Sequence, residues 1–119
     1  MNRREKFFFR DDLFTKSYEI AKLRERYYKY MLAIKDRKGK IVGYGKIVIE
    51  FIDYWGEWSL ELMNCSPQRE GIGGHLYQFA IKQFKKDHPD ITTLRVHPTS
   101  SEEKSFFGKR GYSNYSLPI

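Results

Sequence analysis

Three glycines stand in four positions, Gly71, Gly73 and Gly74, within the run Pro67-Gln68-Arg69-Glu70-Gly71-Ile72-Gly73-Gly74-His75-Leu76. What flanks them constrains the fold more than any other feature of the chain. Before them, Glu57 to Asn64 alternates in the manner of a strand. After them, Leu76, Tyr77, Ala80, Ile81 and Phe84 recur at helical spacing to about Asp87, and Pro89 stops the helix. Thr92 to His97 is short and β-branched, which predicts a second strand. Strand, crossover helix and strand in that order predict a right-handed unit whose two strands run parallel.

The rest of the chain reads as antiparallel. Tyr28 to Ile34 alternates, Asp36 to Gly39 supplies a turn, and Lys40 to Phe51 is rich in Ile, Val and aromatic residues, so a hairpin is expected. A reversal at Asp53 to Gly56 returns the chain into the strand that starts at Glu57. Upstream, Phe7 to Phe9 reads as a short strand. Asp11 and Asp12 stand as N-cap candidates for a helix from Leu13 to Arg26, in which Phe14, Tyr18 and Ala21 share a face. Ser100 with Glu103 fits a capping box for a short helix that Gly111 ends, followed by an extended piece at Tyr112 to Tyr115. The expected order is β, α, three β, α, β, α, β in a single domain over residues 1–119, since a chain of this length supports one core.

Aromatic residues make up 17% of the chain, enough to build that core from large side chains. A single cysteine, Cys65, forms no internal disulfide, and no Cys/His spacing fits a metal site. No apolar run approaches the roughly 20 residues of a membrane span, so a cytoplasmic protein with no membrane partner is the expectation. The net charge of +7 points to an anionic partner, with nucleic acid among the candidates.

A strand that enters a glycine turn and then a helix sets first-turn N–H groups and the positive end of the helix dipole beside a backbone without Cβ atoms, which suits a phosphate. No Lys-Ser or Lys-Thr pair follows the last glycine, so the run is not a Walker loop, and the antiparallel strands before it do not suit a dinucleotide fold. The stretch Gln68-Arg69-Glu70-Gly71-Ile72-Gly73 resembles the coenzyme A loop of the GNAT superfamily of N-acetyltransferases, at every fixed position of the family pattern. Cys65-Ser66-Pro67 before it, the hairpin with Lys40 to Tyr44, and Phe106-Phe107-Gly108-Lys109-Arg110-Gly111-Tyr112 near the end extend the likeness over residues 28 to 115.

The resemblance implies an α+β fold with a mixed, mostly antiparallel central sheet, helices on both faces and a splayed parallel strand pair that holds acetyl-coenzyme A as cosubstrate, with no metal. It implies pantetheine contacts at Leu62, Met63, Asn64 and Ser100, and pyrophosphate contacts from Gln68, Arg69, Glu70, Gly71, Ile72, Gly73 and Gly74. It also implies a glutamate that deprotonates the acceptor amine: Glu61, with Glu57 close behind, since alternation sets both on one face with Ser59 and Met63. Phe107 stands where the family often carries a tyrosine beside the coenzyme sulfur, and it cannot donate a proton. Tyr112, Tyr115 and His97 are the remaining donors. The implied activity is acetyl transfer to a primary amine, with a protein amine favoured as acceptor and a homodimer left open. The alternatives are an acetyl-coenzyme A binding module without efficient turnover, and a basic factor acting on tRNA or other nucleic acid through Lys22, Arg24, Arg26, Tyr27, Tyr28 and Lys29.

Overall fold

A computed structural model describes residues 13–67 and 71–119. The chain forms β1 (Thr15–Arg24), β2 (Tyr27–Lys35), β3 (Ile41–Ile52), β4 (Glu57–Ser66), α1 (Ile72–Asp87), β5 (Thr93–Arg95), α2 (Ser101–Gly108) and β6 (Ser116–Pro118). All six strands lie in one sheet in sequence order. β1 to β4 form an antiparallel meander, β4 pairs parallel with β5, and β5 pairs antiparallel with β6. The α+β class and the single parallel pair match the reading of the sequence.

The hairpin between β2 and β3 forms where expected because its turn is chemically specified. The Asp36 carboxylate accepts from the N–H groups of Lys38 and Lys40, each at 2.9 Å, and Gly39 takes the left-handed φ of +83° that favours glycine. The core lies on the face to which β2 contributes Tyr30, Leu32 and Ile34, and β4 contributes Trp58 and Leu60. α1 packs there through Ile72, Leu76, Ala80 and Phe84, and Phe84 meets Trp58 edge-on at 5.0 Å. α2 adds Phe107 to the same core. Each such side chain, fully buried, stabilises the fold by about 1.5–3 kcal/mol in transfer free energy.

Two expectations are corrected. The segment expected as a helix from Leu13 to Arg26 is largely the edge strand β1, so no N-terminal helix covers a face of the sheet there. The physical reason is that Tyr18 serves either periodicity. As a strand residue it stacks on Phe79 of α1 at 4.6 Å, and β1 also satisfies the backbone edge of β2 from Thr15 opposite Lys35 to Arg24 opposite Tyr27. The last strand begins at Ser116 rather than Tyr112, because Ser113 and Ser116 close a two-residue turn with left-handed Asn114 (φ +50°) and Tyr115 (φ +64°). The expected strand at Phe7 to Phe9 and the cap at Asp11 and Asp12 fall outside the described residues.

Candidate functional site

β4 carries the candidate site because it changes partners along its length. It pairs with β3 continuously from Ile52 opposite Glu57 to Lys46 opposite Met63, and then the register slips, with Tyr44 opposite Ser66. Asn64 absorbs the extra residue with a left-handed φ of +52°, the signature of a bulge. On its other side β4 has one register pair with β5, Ser59 with Arg95. β5 ends at that pair, while β4 runs on to Ser66.

Past that point β4 lines a cleft of about 650 Å³. One wall is β4 from Leu62 to Cys65, with Pro67; another is the entry to α1 at Gly71, Ile72, Gly73 and Gly74; the third is α2. Gly71 caps α1 with φ +83°, no side chain caps the helix, and its first turn holds no acidic residue. The positive end of a sixteen-residue helix therefore faces the cleft with no carboxylate of its own to offset it. Among the described residues no group of His, Cys, Asp and Glu suits a metal ion, and no helix is long and apolar enough to cross a membrane.

Of the residues read from the sequence, Leu62, Met63, Asn64, Gly71, Ile72, Gly73, Gly74 and Ser100 all line the cleft. Gln68, Arg69 and Glu70 lie outside the described residues. Ser100 does what its spacing suggests: its hydroxyl accepts from the Glu103 N–H at 3.1 Å and caps α2. Phe107 does not line the cleft. It is buried at 1% exposure, and Phe106 faces the cleft instead.

Sequence reasoning missed Ser101, Glu102, Glu103, Ser105, Phe106 and Lys109, which line the cleft from the first turn of α2 to its C-cap. The capping box at Ser100 fixes where α2 starts but not which of its faces meets the cleft, so no local signal marked them. Phe106 also explains one of the glycines: a Cβ on Gly73 would sit 3.3 Å from its ring. Arg110 braces this junction of α1 and α2, donating to the Phe106 carbonyl at 2.7 Å with its guanidinium 3.7 Å from the Phe106 ring centroid.

Comparison with known proteins leaves the site to its own geometry. No protein-family model, curated protein or solved structure matches the chain.

Glu57 and Glu61 share a face of β4 with Ser59, as alternation predicts, but their surroundings differ. Glu57 is held by Arg95 at 3.1 Å, whereas Glu61 is exposed opposite Val48 of β3. Of the other proton donors, Tyr112 packs against the core and Tyr115 stands at the turn before β6. His97 accepts the Arg95 Nε–H at its Nε2, 2.9 Å away. Cys65 lies beneath the glycines: a Cβ on Gly45 would come within 2.8 Å of its sulfur. Burial pushes its thiol up to about 11, which removes it as a nucleophile at neutral pH.

Proposed function

We propose that this chain is a GNAT-type N-acetyltransferase that moves an acetyl group from acetyl-coenzyme A to a primary amine. The observation that carries the reading is a cleft that lies along β4 past its one register pair with β5 and ends at the glycine-lined, uncapped start of α1. A long flexible thiol arm suits the gap, where the irregular backbone near Asn64 offers polar groups outside the regular ladder. The first-turn N–H groups of α1 suit the pyrophosphate, by the same physics that binds anions at helix termini.

In this reading the acceptor nitrogen attacks the thioester carbonyl carbon, the N–C bond forms and the C–S bond breaks. Glu61 takes the proton that the amine loses, and its exposure leaves it accessible to an incoming amine. Glu57 is the weaker choice because Arg95 already occupies it. Among the described residues the cleft lining holds no tyrosine, so in this reading the departing thiolate takes its proton from water in the open cleft.

Calorimetry with acetyl-coenzyme A, together with thiol release in the presence of lysine peptides and small amines, tests the reading. Glu61→Gln is expected to lower kcat about 100-fold at pH 7 while leaving coenzyme affinity intact. Absence of acetyl-coenzyme A binding by the folded protein would remove the reading altogether.

A further inference from the structure

The sheet ends unevenly on the side where α1 begins. β4 stops at Ser66, opposite Tyr44 or nearly so, whereas β3 begins at Ile41 and is paired there with Lys35 of β2. The β2–β3 hairpin therefore overhangs the end of β4, with Ile41 about 10 Å beyond Tyr44 at 3.3 Å per residue and the turn farther out. Its root lies against the start of α1: a Cβ on Gly45 would meet the Ile72 side chain at 3.2 Å.

The overhang is basic. Lys35, Arg37, Lys38 and Lys40 are all exposed on it, and Asp36, the one carboxylate of the turn, is already engaged by the N–H groups of Lys38 and Lys40. Among the described residues no ion pair or hydrogen bond engages the ammonium groups of Lys35, Lys38 or Lys40. Lys16 of β1 stands opposite Ile34 at the base of the same hairpin. Next to the glycines, the end of α2 adds Lys109, exposed in the cleft lining, and Arg110, whose guanidinium a Cβ on Gly74 would meet at 3.4 Å. The acids of the cleft, Glu102 and Glu103, belong to the first turn of α2, about 10 Å along the helix from Lys109.

The opposite end of the sheet is built otherwise. Arg24 pairs with Glu50 at 2.8 Å and lies over Tyr27, Arg26 lies over Phe51, and Lys22 lies over Tyr28. The β1–β2 and β3–β4 turns there also carry Glu25 and Asp53. Solubility alone calls for charge at both ends of a sheet. Unpaired positive charge gathers here at one end, and like charges this close repel one another unless an anion relieves them.

We infer that the overhanging β2–β3 hairpin steers a phosphate-bearing ligand to the cleft, drawing its charged end toward the start of α1 before the rest of the molecule settles along β4. The inference rests on the acetyltransferase reading for the identity of that ligand, but on the distribution of charge for its sign. None of Lys35, Lys38 and Lys40 lines the cleft, so they act on the approach of the ligand and not on the seated molecule. Association carries the effect, and salt screens it.

Stopped-flow fluorescence on the full chain, with a coenzyme A thioester that carries a neutral fluorophore, reads the two rate constants separately. Replacing Lys35, Lys38 and Lys40 together by Gln leaves the Asp36 bonds and Gly39 in place, and is expected to lower the association rate constant on the order of 10-fold at about 10 mM salt. The difference should shrink to within about 2-fold at about 1 M salt, with dissociation unchanged throughout. The control replaces Lys22, Lys82 and Lys86 by Gln, which removes the same charge elsewhere and should leave association nearly as in the parent chain.

Equal losses in the two folded variants, a loss seen in dissociation, or an association rate indifferent to salt would each overturn the inference. A second probe, 3′,5′-adenosine bisphosphate, separates it from the acetyltransferase reading. If the thioester does not bind but the bisphosphate binds at a rate set by the hairpin, the reading falls and the steering stands. If the thioester binds at a rate that ignores the hairpin, the steering alone falls, and binding of neither removes both. A single-stranded oligonucleotide that needs the three lysines while the thioester does not would make the hairpin a nucleic-acid contact and overturn the inference as well.

Discussion

The two halves of the sheet are held in different ways. From β1 to β4, each strand is paired along most of its length, and α1 seals the core face of β2, β3 and β4. Between β4 and β5 there is one register pair, with a bulge at Asn64 and a cleft just beyond. The difference teaches that this fold concentrates packing in the meander so that the β4–β5 seam can remain open.

The largest effect that would break this contrast comes from the packed half. Phe84 is fully buried against Tyr28, Trp58 and His88, and Phe84→Ala should cost about 3–5 kcal/mol in urea denaturation. A loss under 1 kcal/mol would mean that α1 is not what seals the meander. At the seam, Gly73→Glu should weaken acetyl-coenzyme A binding by on the order of 100-fold, because a carboxylate would stand where the pyrophosphate is expected. Gly73→Ala is the control: it presses only on the end of the Phe106 ring and should keep binding within a few-fold in the same calorimetric titration.

The two adjacent phenylalanines of α2 sharpen the contrast at single-residue scale. Phe107→Tyr puts a hydroxyl into the core and should cost about 1–3 kcal/mol of stability, whereas Phe106→Tyr places it in the cleft and should leave the melting curve nearly unchanged. If Phe107→Tyr proves neutral and raises the rate of thiol release, Phe107 and not Phe106 faces the coenzyme. The smallest effect belongs to the pair that closes the seam. Glu57→Gln breaks a largely exposed bridge to Arg95 and should change stability by less than about 1 kcal/mol, measured at low salt where the bridge counts most.

How much of this was legible in the sequence follows from how local each signal is. The β2–β3 turn, the α1 boundaries and the capping box at Ser100 depend on a few neighbouring residues, and all were readable. β1 was not, because Tyr18 suits a helix or a strand and only Phe79 and the waiting edge of β2 decide between them. At the candidate site, the glycines could be read from their place between a strand and a helix, and Leu62 to Asn64 were named because the resemblance implies them; all of these line the cleft. The choice between Phe106 and Phe107 could not, since it turns on which way α2 faces once it meets Gly73 and Tyr77. The ring contacts of His97 with Trp55 and Tyr115 were hidden for the same reason: three distant segments build them.

Cys65 has a consequence in redox terms. Its sulfur is wedged under Gly45 and beside Gly73, and its thiol is pushed from 9.0 to about 11 by burial. The thiolate, which is the form that oxidants and alkylating reagents attack, is therefore scarce in the folded protein until the pH climbs toward that value. Its contribution to stability runs the same way: the buried neutral thiol favours the fold below pH 9 and loses that advantage as the pH rises from 9 toward 11. Cys65 also lines the cleft, so an alkylating reagent that reaches it must enter by that opening. Its low reactivity leaves room for a reporter, since a thiol introduced at Tyr54, 92% exposed beside Trp55, would react with a maleimide well before Cys65 does.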